Sequence, residues 1–161
     1  MNDVYLLLGA NLGNPLEQIR SACIQIADLL GEIVGMSSIY ESEAWGIEDQ
    51  PPFYNQALLV NTTFSALETL HICQQIEQAL GRVRKEKWGA RVIDIDILYF
   101  NADVIHAIPL TVPHPHLHLR RFTLEPLSEI AGEYVHPTLH LTNSELLNAC
   151  TDKLAVIKLK P

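Results

Sequence analysis

Two stretches of the chain carry the same apolar rhythm, and together they limit the fold more than any other feature. Leu16, Ile19, Cys23, Ile26 and Leu30 are spaced three and four apart, and so are Leu67, Leu70, Cys73, Ile76 and Leu80. Each set marks a helix with one apolar stripe, and each stripe must cover another element. Both helices have readable ends. Asn14 stands as N-cap before Pro15 at the first helical position, and Ser65-Ala-Leu-Glu68 is a capping box. Gly31 and Gly81 stop them. The runs at 4–8, 33–43, 53–64 and 92–100 read as strands. A turn-rich segment, Gly9 to Gly13, follows the first, and a Gly/Pro loop at 46–52 separates the middle two. The order β-α-β-β-α-β predicts an α+β, ferredoxin-like sandwich: an antiparallel sheet with a long hairpin in its middle and both helices on one face. Residues 101–161 predict irregular C-terminal additions with two short helices, at 124–131 and 144–150. No repeat or linker interrupts the chain, and its 161 residues suit a single domain, 1–161, with one core.

Charge narrows the partners. The net charge of −8 argues against a general nucleic-acid binder, which needs a broad basic surface. Of eleven Lys and Arg, five fall in 82–91 and two more are Arg120 and Arg121. An acidic protein that concentrates its cations this way predicts a small anionic ligand. The start of the chain has no basic segment followed by a long apolar core, so no signal peptide is expected. No stretch approaches the ~18 apolar residues of a membrane span. Cys23, Cys73 and Cys150 are isolated and odd in number, which predicts small hydrophobic roles in a reducing cytoplasm.

The chemistry concentrates after the second helix. Five cations and Trp88 immediately precede Asp94 and Asp96, which alternate with Ile93, Ile95 and Ile97. On a strand the two carboxylates share one face, with Cα atoms roughly 6.6 Å apart. Such a pair calls for a cation, and a hard divalent ion such as Mg²⁺ fits oxygen ligands of this kind. The basic cluster beside it reads as a polyphosphate grip. D-x-D alone fits an edge strand with solvated acids better than a metal site; the attached basic loop moves the reading to a metal and phosphate site.

Three other segments carry candidate groups. In Leu110-Thr-Val-Pro113-His114-Pro115-His116-Leu-His118, the prolines predict an extended stretch with the three histidines on one face. A zinc site there is conceivable, though no cysteine accompanies it. Phe53 and Asn55 pair an aromatic face with an amide, which suits a flat heterocycle, and Phe122 offers a second ring. Asn11, in the glycine-rich turn, offers another amide, although that turn lacks the pattern of a phosphate loop. Tyr40 and Trp45 read as core or loop anchors. Nothing in the order ties a Cys or Ser to a His, which points away from covalent catalysis.

Lys87-Trp88-Gly89-Ala90-Arg91-Val92-Ile93-Asp94-Ile95-Asp96-Ile97-Leu98 resembles the signature of the 6-hydroxymethyl-7,8-dihydropterin pyrophosphokinase family of folate biosynthesis. The resemblance extends to Leu8-Gly-Ala-Asn-Leu-Gly13, Asp49-Gln-Pro-Pro-Phe53-Tyr-Asn55, Gly81-Arg-Val-Arg-Lys85, Leu110-Thr-Val-Pro-His-Pro115 and Arg120-Arg-Phe122. It covers almost the whole chain in matching order, and its ferredoxin-like fold agrees with the order of elements above. It implies transfer of diphosphate from ATP to the pterin hydroxymethyl group, with Asp94 and Asp96 holding two Mg²⁺ ions. Arg82 and Arg91 match positions that act during turnover. Arg84, Trp88, His114 and Arg120 match the ATP side, as do Gln74, Glu77, Ile97 and Thr111. Ser42, Glu43, Trp45, Phe53, Asn55 and Phe122 match the pterin side, with Asp94 and Asn11 beside them. Segments 46–52 and 82–91 match loops that close over the substrates. The chain departs from the family pattern at Ser42, Ala44, His116 and Leu119, where Thr, Pro, Arg and Glu are frequent. The resemblance further implies a monomer whose partners are ATP and the pterin alone. Two other classes stay open from the residues: a ferredoxin-like module that binds a nucleotide as a regulator, and a zinc hydrolase built on the histidine face. The paired carboxylates tell against the first.

Overall fold

In a computed structural model of the chain, residues 1–43, 51–81 and 92–160 are described. The elements run β1 (Asn2–Ala10), α1 (Pro15–Leu29), β2 (Glu32–Met36), β3 (Tyr40–Ser42), β4 (Phe53–Thr62), α2 (Ala66–Ala79) and β5 (Asp94–Phe100). Then come β6 (Ile105–His106), β7 (Thr111–Val112), a 3₁₀ turn at Leu117–Leu119, α3 (Arg121–Ala131), α4 (Asn143–Ala149) and β8 (Val156–Lys158). A six-stranded sheet has the order β5-β1-β4-β3-β8, with β2 also paired to β4 and every described pairing antiparallel. This is the ferredoxin-like plan with a strand added at one edge.

The helix ends form as their sequences dictate. The Asn14 side chain accepts the Glu17 N–H at 3.3 Å. Ser65 and Glu68 cap each other reciprocally, at 3.2 and 3.0 Å. Thr142 and Glu145 make a second capping box, at 3.1 and 3.0 Å, which opens α4. Gly31 is required for a reason outside its helix: a Cβ there would stand 2.0 Å from the Asn61 carbonyl oxygen of β4.

The long second strand expected at 33–43 is broken in two. At the break, the Ser37 N–H donates to the Ala57 carbonyl while the Ser37 hydroxyl accepts the Ala57 N–H at 2.9 Å. A side-chain oxygen thus takes the place of a backbone acceptor, and the pairing slips from Met36 opposite Leu58 to Tyr40 opposite Asn55. The first strand is longer than expected and carries Gly9 and Ala10 inside the sheet.

Apolar side chains fill both faces of the sheet. Toward α1 and α2, Val4, Leu6, Leu8, Leu58, Val60, Ile95 and Ile97 pack with Ile19, Ala22, Ile26, Cys73 and Ile76. Toward α3 and α4, Leu7, Leu98 and Tyr99 pack with Leu124, Leu127 and Leu146. Burial on both sides explains the unbroken run Leu6-Leu7-Leu8 in a central strand. A bulge opposite Tyr5 and Leu6 lets the adjacent residues Leu98 and Tyr99 both join the second cluster. Among the described residues no helix is long and apolar enough to cross a membrane.

Candidate active site

The register of the sheet assembles the site. Asp94 of β5, Gly9 of β1, Asn55 of β4 and Tyr40 of β3 lie directly opposite one another in a single row. Opposed residues of neighbouring strands share a face. Asp96 opposite Leu7, and Phe53 opposite Ser42, flank that row on the same side. This is the face that carries α3 and α4, whose apolar contacts do not extend over the row. The uncovered part is a cavity of about 660 Å³. The sheet contributes Leu7, Gly9, Ser42, Phe53, Asn55, Asp94 and Asp96, and Glu43 follows β3 at the rim. His116, Leu119, Arg120 and Phe122 come from the approach to α3, and Thr151, Asp152 and Leu154 from the segment after α4.

Gly9 makes the floor. A Cβ at this position would stand 2.8 Å from Asn55 Oδ1, so only glycine leaves the Asn55 amide its place. Asn55 and Ser42 are themselves buried. The Arg120 guanidinium carbon lies 5.6 Å from the Phe122 ring centroid, close enough for its charge to sit against the ring.

Eight candidate residues therefore meet at one cavity: Ser42, Glu43, Phe53, Asn55, Asp94, Asp96, Arg120 and Phe122. Others stand elsewhere. Asn11 donates from its amide to the Pro51 carbonyl at 3.2 Å and ties the end of β1 to the entry of β4. Glu77 is buried, and its Oε2 accepts the Ile95 N–H at 2.9 Å, so the carboxylate holds β5 between the two aspartates. Ile97 is in the core toward α1 and α2. Gln74 is exposed on α2, and Thr111 is half-buried in β7. His114 donates its N–H to the Leu98 carbonyl at 3.0 Å, and its Nδ1 accepts the His116 N–H at 3.2 Å. Burial, aided by the nearby Arg120 and His116, pushes the His114 imidazole down to about 4. Trp45, Arg82, Arg84, Trp88 and Arg91, with the expected loop 82–91 and residues 46–50 of the other, lie outside the described residues.

The extended histidine face does not form. The chain turns after Pro115 into the 3₁₀ turn, so His118 points its ring toward His136, with centroids 6.4 Å apart, while His116 stays near His114 at 6.0 Å. Among the described residues no three His, Cys, Asp or Glu are grouped to hold a metal ion.

Residues 5–132 match the model of the 7,8-dihydro-6-hydroxymethylpterin-pyrophosphokinase (HPPK) family. That span is most of the chain. The chain belongs to this family. It is 38% identical to the 2-amino-4-hydroxy-6-hydroxymethyldihydropteridine pyrophosphokinase of Haemophilus influenzae, over 100% of both chains. It is 42% identical to the enzyme of the same name from Aquifex aeolicus, over 85% of each. Its fold is similar to a crystal structure of Plasmodium falciparum HPPK-DHPS, with a TM-score of 0.76 at 20% identity. That match covers 92% of this chain and 44% of the longer one.

Seen as a member of the HPPK family, the chain holds cavity residues that its motifs did not announce. By sequence Gly9 belongs to a turn, and His116 and Leu119 are departures from the family pattern. Thr151, Asp152 and Leu154 left only one trace, an acidic residue just past a helix end, and such a residue by itself reads as solvated.

Proposed function

We infer that this chain is a pyrophosphokinase of folate synthesis that moves the diphosphate of ATP onto the hydroxymethyl oxygen of 6-hydroxymethyl-7,8-dihydropterin and releases AMP. The observation that carries this reading is the row Asp94–Gly9–Asn55, which places an acidic pair and a buried amide on the floor of one cavity. Phe53 and Phe122, from the sheet and from α3, offer faces to a flat ring, and the Asn55 amide reads its polar edge. The ring is then anchored with its hydroxymethyl arm toward Asp94 and Asp96.

The acidic pair fits magnesium. Asp94 and Asp96 are half-buried, share a face and line the cavity. Two carboxylates on one strand face suit a hard ion that keeps waters and binds phosphate oxygens. Asp94 and Asp96 would hold the magnesium, which when bound would supply positive charge to offset that of the ATP phosphates. Arg120 supplies a fixed positive charge on the opposite wall. Arg82, Arg84 and Arg91 would add donors to the phosphates, and Trp88, Gln74, Glu77, Thr111 and Ile97 would frame the nucleotide. His114, held neutral by burial, offers an N–H rather than a charge. On this reading the enzyme works as a monomer in the cytoplasm, where its three free cysteines stay reduced.

Product analysis tests the reading directly. Protein, ATP, Mg²⁺ and the pterin should yield AMP and a diphosphorylated pterin in equal amounts, and no AMP without the pterin. ADP in place of AMP would mean a single-phosphate kinase. Arg91→Ala should lower kcat more than it raises the KM for ATP, because the cation counts most as charge develops. An unchanged kcat with a raised KM for ATP would remove Arg91 from the chemical step.

A further inference from the structure

We propose that Arg121 and Asp152 are positioning residues of the pterin pocket, locking the first turn of α3 and the segment after α4 into one wall. This rests on the reading of the site given above. Helix α3 starts without a side-chain cap of its own, since Arg120 at the N-cap position makes no such bond. Asp152, thirty-one residues away, supplies the cap: its Oδ2 accepts the Arg121 N–H at 3.1 Å. A carboxylate at a helix N-terminus also meets the positive end of the helix dipole. Arg121 returns the contact. Its Nε donates to the Asp152 carbonyl at 2.9 Å and one terminal nitrogen donates to the Cys150 carbonyl at 3.1 Å. Its other terminal nitrogen lies 3.6 Å from Glu125. Asp152 Oδ1 accepts the Leu154 N–H at 3.0 Å, which bends the segment back on itself.

The consequence lies in what sits next to the clasp. Arg120 and Phe122 flank Arg121, and Thr151 and Leu154 flank Asp152; all four line the cavity. Neither half of the wall is fixed by its own element. The first turn of an uncapped helix frays, and residues 150–155 belong to no described helix or strand. The clasp therefore sets how far Phe122 stands from the sheet floor, and so how a flat ring fits against Phe53. The same tail is tied a second time beyond Leu154, along β8. There β8 pairs with β3, and Glu129 accepts the Tyr40 hydroxyl at 2.7 Å and lies 3.5 Å from Lys158. Lys158 provides a control, because removing its charge loosens the tail and leaves the Tyr40–Glu129 hydrogen bond in place.

The test is steady-state kinetics on the full chain, with direct pterin binding and thermal midpoints for each variant. Arg121→Gln and Asp152→Ala should each raise the KM for the pterin about tenfold, as expected for the loss of a charge-assisted hydrogen bond. The kcat and the KM for ATP should change far less. Asp152→Asn, which keeps an oxygen able to accept the Arg121 N–H, should recover most of the pterin affinity. Lys158→Met should lower the thermal midpoint slightly and leave the pterin KM as in the unaltered protein. The proposal is overturned if the Arg121 and Asp152 variants lose only thermal stability, or if Lys158→Met raises the pterin KM as much as they do. Unaltered protein that binds no pterin would overturn the functional reading, and this proposal with it.

Discussion

The two faces of the sheet use neighbouring residues of the same strands for opposite ends. Toward α1 and α2, Leu6, Leu8, Leu58, Ile95 and Ile97 are closed over completely or nearly so. Toward α3 and α4, Leu98 and Tyr99 are equally buried, but the covering contacts end before the row that holds Asp94, Gly9 and Asn55. Ile95 belongs to the sealed core, and its neighbours Asp94 and Asp96 to the open cavity. The difference teaches where precision comes from. A strand whose other face is locked into a core holds its polar face still, so the carboxylates gain a rigid mount while still reaching the cavity. Glu77 tightens the mount by accepting the Ile95 N–H from the core side.

The division of labour can be broken from either side. Asp96→Ala should reduce turnover about a thousandfold or more, by removing a ligand that stabilises developing charge. Its thermal midpoint should move little, because the residue contributes to the cavity and not to the core. Normal magnesium-dependent rates in that variant would end its assignment. The reciprocal experiment is Leu58→Ala on the sealed face. It should cost about 2–5 kcal/mol of stability, read by denaturant unfolding, while the KM values of the folded fraction stay unchanged. Gly9→Ala probes the floor between the two. The new methyl group would collide with Asn55 Oδ1, so the pterin KM should rise about tenfold while stability falls by roughly 1–3 kcal/mol. An unchanged pterin KM would show that the Asn55 amide can shift without loss.

The smallest expected effect is one of pH, and it sharpens the comparison on the open side. His114 is pushed down from 6.5 to about 4, chiefly by burial. Its neutral form is favoured in the folded protein, so the unfolded chain binds the proton first on acidification. The stability from this group is complete above 6.5 and is lost as pH falls toward about 4. His136 is shifted in the same direction, by burial and by His118 and His140, and adds to the same slope. Urea midpoints across this window should fall less steeply for His114→Asn than for the unaltered protein. Equal slopes would mean that His114 is solvated.

Local physics made part of this legible without coordinates. Apolar spacing, the Asn14 cap and the Ser65–Glu68 box each act within a few residues, so the helices and the order of strands could be read directly. The Asp94 and Asp96 alternation was equally plain, and several motifs in matching order carried the family. Features that depend on distant partners were not readable. Ser37 breaks the second strand because Ala57 faces it, and the histidines after Val112 leave their common face because the chain turns at 116. The strand β8, and the clasp of Arg121 with Asp152, join segments that no local periodicity connects. The sequence by itself determined the two long helices with their N-caps and the chemical character of the acidic strand, because those follow from neighbours along the chain. Only the tertiary structure decided which face the carboxylates share with Asn55 and what walls their cavity, because register and closure are set by packing between residues far apart in the chain.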